Sequence, residues 1–256
     1  MDCHIHTKFS YDSSCEMEEV LLQNNHTLTF TDSLIFDNLI AEEDSILDDE
    51  KYSQEIFSLR EKFPERKIYK GIEIGYTKGN RERIQNYLTD KSFDVKLLSI
   101  RSNGKLDFMS DEILFENVNT VVAEYFSLMK QAITEIDGIN VLSSLDYGLR
   151  RFSLSKRAVI LLVEHELEEI FKLMIQRNIA LELNAKGCFF YGYRYLYDFA
   201  VTLYQELGGT LFTFGSEAKR ATEVELNFSR LIENAKKAGI HHVVQFDKGK
   251  CVNFKI

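Results

Sequence analysis

Short runs rich in β-branched and aromatic residues alternate along the chain with longer stretches whose apolar residues recur every three or four positions. The short runs predict strands over Thr27–Thr31, Lys67–Ile74, Val95–Ile100, Ile139–Ser143, Ile179–Leu183, Thr210–Phe214 and His242–Phe246, with one more over residues 1–5. The longer stretches predict helices over Glu16–Asn24, Glu43–Lys62, Asn80–Thr89, Asp111–Ile136, Lys156–Arg177, Tyr195–Leu207 and Thr222–Ala238. Gly138, Asn178, Gly208 and Gly239 follow four of these helices. Glycine and asparagine accept the left-handed backbone that ends a helix. Alternation sustained this long predicts an α/β fold built on a mainly parallel sheet. The strand count suits a closed or distorted barrel, with an open doubly wound sheet as the structural alternative.

Composition narrows the class. A chain of 256 residues, 45% of them hydrophobic, suits one barrel with a sizeable core. Pro64 is its one proline, and no Gly/Ser-rich linker interrupts it, so residues 1–256 are expected to form a single domain. The acidic stretch from Ala41 to Lys51 is expected to be the solvated start of a helix. A net charge of -9 argues against wholesale nucleic-acid binding, which needs a basic face. Cys3, Cys15, Cys188 and Cys251 form no CxxC pair and read as reduced thiols of a cytoplasmic protein. The opening Met1-Asp2-Cys3-His4 lacks the pattern of a signal peptide, and no apolar run is long enough to span a bilayer.

In a parallel barrel the working side chains lie at the carboxyl ends of the strands. His4 and His6 stand two apart, so on a strand both imidazoles share a face and can hold one metal ion. Asp2 is the expected carboxylate to orient one of them. Glu73 lies inside an apolar strand run, and its burial requires a metal ion or a cation as partner. Polar residues follow the other strands: Asp32 and Ser33, Arg101, Ser144 with Asp146 and Arg150, Asn184, and Glu217 with Lys219.

These runs resemble the PHP (polymerase and histidinol phosphatase) family, and within it the short histidinol phosphatases. DCHIHTKFSYDS is similar to a first motif DxHxHTxFSxDS. TDS, GIEIGY, LSIR, SSLDYGLRR, LELNAKG and FGSEAK follow in family order, so the resemblance spans Asp2 to Lys219. It implies a distorted (βα)7 barrel, a cluster of up to three divalent metals, and hydrolysis of phosphomonoesters by a metal-activated water. The family's histidines are replaced here by Ser33, Arg101, Ser144 and Lys219, and an aspartate by Glu217.

Serine is a poor ligand for zinc-like ions, and arginine cannot coordinate a metal at all. The surviving set expected to hold one zinc, manganese or iron ion is His4, His6, Glu73 and Glu217, while Asp12 keeps a place in a second, damaged position. Arg101, Arg150 and Lys219 are expected to face a substrate phosphate. Asp32 or Asp146 is the expected general base. The leading expectation is a phosphomonoesterase of histidinol-phosphatase type, weakened by its lost ligands. The alternatives are an inactive relative that binds a phosphorylated or anionic small molecule, and a scaffold for a protein partner. The sequence carries no signal for an oligomeric state.

Overall fold

The computed structural model describes residues 1–256. Seven parallel strands form the barrel: β1 (Asp2–Ile5), β2 (Leu28–Asn38), β4 (Ile68–Tyr76), β5 (Val95–Ile100), β6 (Val141–Leu142), β7 (Ala180–Asn184) and β8 (Phe212–Gly215). They are hydrogen-bonded in that order. A single parallel bridge between Ile5 and Ala218 brings the ends together, so the barrel is nearly closed, as the (βα)7 expectation requires. β3 (Glu43–Ser45) pairs antiparallel with the outer end of β2.

The helices are α1 (Met17–Gln23), α2 (Asp49–Lys62), α3 (Arg81–Leu88), α4 (Val118–Glu135), α5 (Lys156–Arg177), α6 (Ala185–Phe189), α7 (Arg194–Glu206) and α8 (Phe228–Lys237). α5 shows why the predicted bounds hold. Ser155 caps its first turn by accepting from the Ala158 amide, and Asn178 ends it at a φ of 56°. Its buried stripe of Val159, Val163, Leu167, Ile170 and Met174 repeats at the helical period. No helix is long and apolar enough to cross a membrane.

Three expectations are corrected. Residues Glu43–Ser45 form β3, not the start of a helix; α2 begins at Asp49 behind the capping carboxylate of Asp48. The helix expected from Asp111 divides into a short 3-10 turn, Asp111–Phe115, and α4. The strand expected at His242–Phe246 exists as β9 (His242–Asp247), but outside the barrel. It pairs antiparallel with β10 (Lys250–Lys255).

Lys248 and Gly249 both take positive φ in the two-residue turn between β9 and β10, as tight hairpins require. Val244 and Phe246 pack on Val95, Leu97, Val141 and Ala180, which lie at or near the starts of β5, β6 and β7. Gln245 bonds to Thr29 Oγ1 at 2.8 Å. The hairpin therefore plugs the amino end of the barrel and leaves the carboxyl end for chemistry.

Candidate metal centre

The centre is built at the tips of β1 and β4. His4 lies on β1 and His6 just beyond it, and their imidazoles converge with His4 Nε2 3.1 Å from His6 Nε2. Glu73, on β4, brings Oε1 within 3.4 Å of His4 Nε2 and Oε2 within 3.6 Å of His6 Nε2. All three side chains are fully buried. One ligand atom from each lies within 4.8 Å of the others, and no second group of His, Cys, Asp or Glu side chains converges in this way.

Glycines make the room. A Cβ on Gly75 would stand 2.7 Å from Ile35 Cγ1 and 3.0 Å from Arg101 Cγ, so the glycine leaves room for that arginine to pass β4.

The outward nitrogens of both rings are fixed. His4 Nδ1 donates to Glu182 Oε1 at 2.6 Å. The other oxygen of Glu182 accepts from the Ser144 amide at 2.9 Å and from Asn184 Nδ2 at 3.0 Å. A Cβ on Gly215 would fall 2.1 Å from Glu182 Oε1, so the glycine ending β8 keeps this carboxylate on the ring. His6 Nδ1 lies 3.1 Å from Ser10 Oγ, which gives its own proton to Asp32 Oδ1 at 2.6 Å and therefore accepts from the ring. With both Nδ1 protons held outward, both Nε2 atoms face the centre.

Burial would lower the His4 imidazole, but the charges of Glu182 and Glu73 outweigh it and push it up to about 10. Burial pushes His6 down to about 3, only partly opposed by Glu73. An ion entering the centre has to displace any proton that His4 Nε2 carries.

These residues fit a divalent ion. Glu73 Oε1 is buried and accepts no hydrogen bond of good geometry, its nearest cationic neighbour being His4 Nε2 at 3.4 Å, and a buried carboxylate oxygen held so loosely is costly. Two imidazole nitrogens and a carboxylate oxygen are donors suited to zinc, manganese or iron. A carboxylate behind a ligating histidine fixes its orientation, and its loss typically costs about 10–100-fold in metal affinity. Glu182→Gln is accordingly expected to weaken zinc binding by about that factor, measured by competition with a chromogenic chelator. Unchanged affinity would mean that Glu182 does not position the ring.

Several expected residues sit differently. Asp2 does not orient an imidazole. It is a short carboxylate saturated by backbone amides, those of His4 at 3.1 Å, Ser216 at 3.0 Å and Glu225 at 3.2 Å. Glu182, the acid of LELNAKG, does that work, a role not expected from the sequence.

Glu217 is not among the converging ligands. Its carboxylate is gripped by Arg150, with Nη1 at 3.0 Å and Nη2 at 2.8 Å, and it also accepts from Asn184 and Ser144. Asp12 is likewise outside the group and pairs with Lys219.

The three expected phosphate-binding cations all hold carboxylates. Arg101 Nη2 lies 2.6 Å from Glu73 Oε2, Arg150 spans Asp146 and Glu217, and Lys219 meets Asp12. Arg101 alone keeps a buried donor, Nε, with no partner.

Neither expected general base has a spare oxygen. Asp146 is fully buried and accepts from Arg150 Nε, Arg150 Nη2 and Tyr197 Oη. Asp32 accepts from the Thr7 amide, Thr7 Oγ1 and Ser10 Oγ. Burial raises Asp32 to about 6 against these hydrogen bonds. Its position makes it the anchor of the loop after β1, acting on His6 through Ser10.

A nearly closed parallel barrel with an imidazole and carboxylate cradle at its carboxyl end defines a metal-site α/β barrel. The chain belongs to the PHP domain family, which matches residues 2–186. It is 25% identical over 251 residues to a probable histidinol-phosphatase of Clostridium acetobutylicum, covering 94% of this chain and 95% of that one. It is 23% identical over 254 residues to the histidinol-phosphatase of Lactococcus lactis, covering 96% and 94%. Among solved structures, the histidinol phosphate phosphatase of Lactococcus lactis, crystallised with zinc, L-histidinol and phosphate, superposes with a TM-score of 0.86. That match has 22% identity over 98% of each chain, which establishes the shared fold.

Proposed function

We propose that this protein is a phosphomonoester hydrolase of histidinol-phosphatase type that works with one divalent ion and a phosphorylated small molecule, the whole chain acting as one unit. The observation that carries the reading is the convergence of His4 Nε2, His6 Nε2 and Glu73 Oε1, an oxygen that accepts no hydrogen bond. The names of the relatives support the substrate class. A bound zinc, manganese or iron ion supplies Lewis acidity and a nucleophilic water at neutral pH.

The chain's own residues do the rest. Glu182 and Ser10 hold the two rings, and Asp32 holds Ser10. Arg101 fixes the second oxygen of Glu73 and keeps Nε for a phosphoryl oxygen. A guanidinium there offsets charge that develops on the phosphoryl group. Arg150 braces Asp146 and Glu217, so it shapes the floor of the site. The missing ligands at Ser33, Ser144 and Lys219 make this a weak catalyst.

The test is an assay with histidinol phosphate and p-nitrophenyl phosphate in added Mn, Zn or Fe. Turnover above the blank that a chelator abolishes is expected. A rate equal to the blank with every metal would overturn the reading.

One observation favours a second reading. Arg101, Arg150 and Lys219 already pair with Glu73, Asp146, Glu217 and Asp12, Arg150 serving two of them. Side-chain cations on every one of these acids suit a protein that binds an anionic small molecule without hydrolysing it. Metal-independent phosphate binding with no turnover would select this reading.

A further inference from the structure

Beside the metal centre a cleft of about 620 Å3 opens at the carboxyl ends of β1, β7 and β8. Its wall includes the ionisable residues Asp12, Lys186, Lys219, Arg220 and Glu223. Three cations face two acids, so the wall is net positive in a chain of net charge -9. Asp12 and Lys219 also act electrostatically on His6, which ties the cleft to the centre.

Most of these charges are spoken for. Lys219 pairs with Asp12. Arg220 is largely exposed and reaches Glu223 at 3.9 Å. Lys186 is different. It is half-buried and takes part in no ion pair, and its one polar contact is Nζ donating to the Glu217 carbonyl at 3.2 Å. An ammonium carries three donors, so two are left to point at a ligand. The hydroxyls of Ser13 and Ser216 on the same wall are held by the backbone, Ser13 by the Lys219 carbonyl and Ser216 by the His4 carbonyl, which leaves Lys186 as the donor with free capacity. Burial disfavours the ammonium and lowers its pKa, the charge of Glu217 only partly offsetting this, so an anion in the cleft would relieve it.

We infer that Lys186 is the anion-binding residue of this cleft, taking a phosphate or second acidic group of the substrate through its two uncommitted donors. This rests on the hydrolase reading for calling the ligand a substrate, and it deepens that reading by placing anion recognition on a lysine instead of the salt-bridged Arg150 and Lys219. The chemistry recognised is a small dianion such as a phosphomonoester.

The test is calorimetric titration of the intact protein with inorganic phosphate at low salt. Wild type is compared with Lys186→Ala, Lys186→Arg and the surface control Lys51→Ala. Lys186→Ala is expected to weaken phosphate binding by about tenfold or more, the scale of a lost charge-assisted hydrogen bond. Lys186→Arg should retain most of the affinity, Lys51→Ala all of it, and all variants should melt with wild type. Equal affinity in wild type and Lys186→Ala would overturn the inference, as would no phosphate binding by wild type at millimolar concentration. Binding is read without turnover. Lys186-dependent binding in a protein that fails every phosphatase assay would sustain the inference while removing the hydrolase reading.

Discussion

Arg150→Ala is expected to cost about 3–5 kcal/mol of folding stability, the scale of breaking a buried ion pair by removing one partner. The guanidinium is almost fully buried and binds two carboxylates, Asp146 and Glu217, through Nε, Nη1 and Nη2. It also lies over the Tyr191 ring at 4.2 Å. Removing it leaves two buried carboxylates facing one another without a cation. In a chain of this length the loss corresponds to a fall in Tm of about 10 °C.

The dependence on pH follows from Glu217. Burial would raise its pKa, but Arg150 holds it well below the ordinary 4.5. A depressed folded value stabilises the protein fully above the unfolded value. That contribution disappears as pH falls through the folded one. The gap between wild type and variant should therefore be widest above about pH 5 and close in strong acid. Urea unfolding at pH 7 and in acid measures both. A cost under about 1 kcal/mol at pH 7 would show that Arg150 is not the brace of this floor.

The second large effect concerns the centre itself. His4→Ala combined with His6→Ala removes two of three converging ligand atoms. Loss of an outer partner such as Glu182 already costs about 10–100-fold, so the double variant should lose more than about a hundredfold in zinc affinity and any metal-dependent turnover with it. Elemental analysis after dialysis against zinc checks the first, and the histidinol phosphate assay the second. Because both rings are buried, thermal melting is run alongside to show that the barrel survives. Zinc retained by a folded double variant would place the ion elsewhere.

The barrel was legible because its signals are local. α5 carries a cap, a helical stripe and a stop residue in its own sequence, and Val95–Ile100 reads as an apolar run. β9 misled because a strand's composition does not name its partner. The two-residue turn at Lys248 and Gly249 was the cue to a hairpin. β2 runs seven residues beyond its predicted end because it stays paired with β4 as far as Ile35 and then pairs with β3 as far as Asn38, both tertiary choices.

At the site, His4, His6 and Glu73 were legible as two same-face imidazoles and an acid in an apolar strand. Glu182 in Leu181-Glu182-Leu183 is likewise an acid in an apolar strand whose burial demands a partner, so the same signal marks it. Glu217 and Asp12 could not be judged from sequence. Whether a carboxylate meets a metal or an arginine depends on which strand tips face one another, and that is set by barrel closure. Lys186 carries no signal of its own in the sequence, where it is one of several cations that follow the strands. Only the pairing of every other cation in the cleft singles it out.

The central claim is that one ion sits between the two inward imidazole nitrogens and Oε1 of Glu73. Anomalous diffraction at the zinc edge, from crystals of the intact protein grown with zinc, tests it directly. The account predicts one strong peak in bonding distance of His4 Nε2, His6 Nε2 and Glu73 Oε1. A peak beside Asp12 or Glu217 instead, or no peak between the two rings, would contradict it.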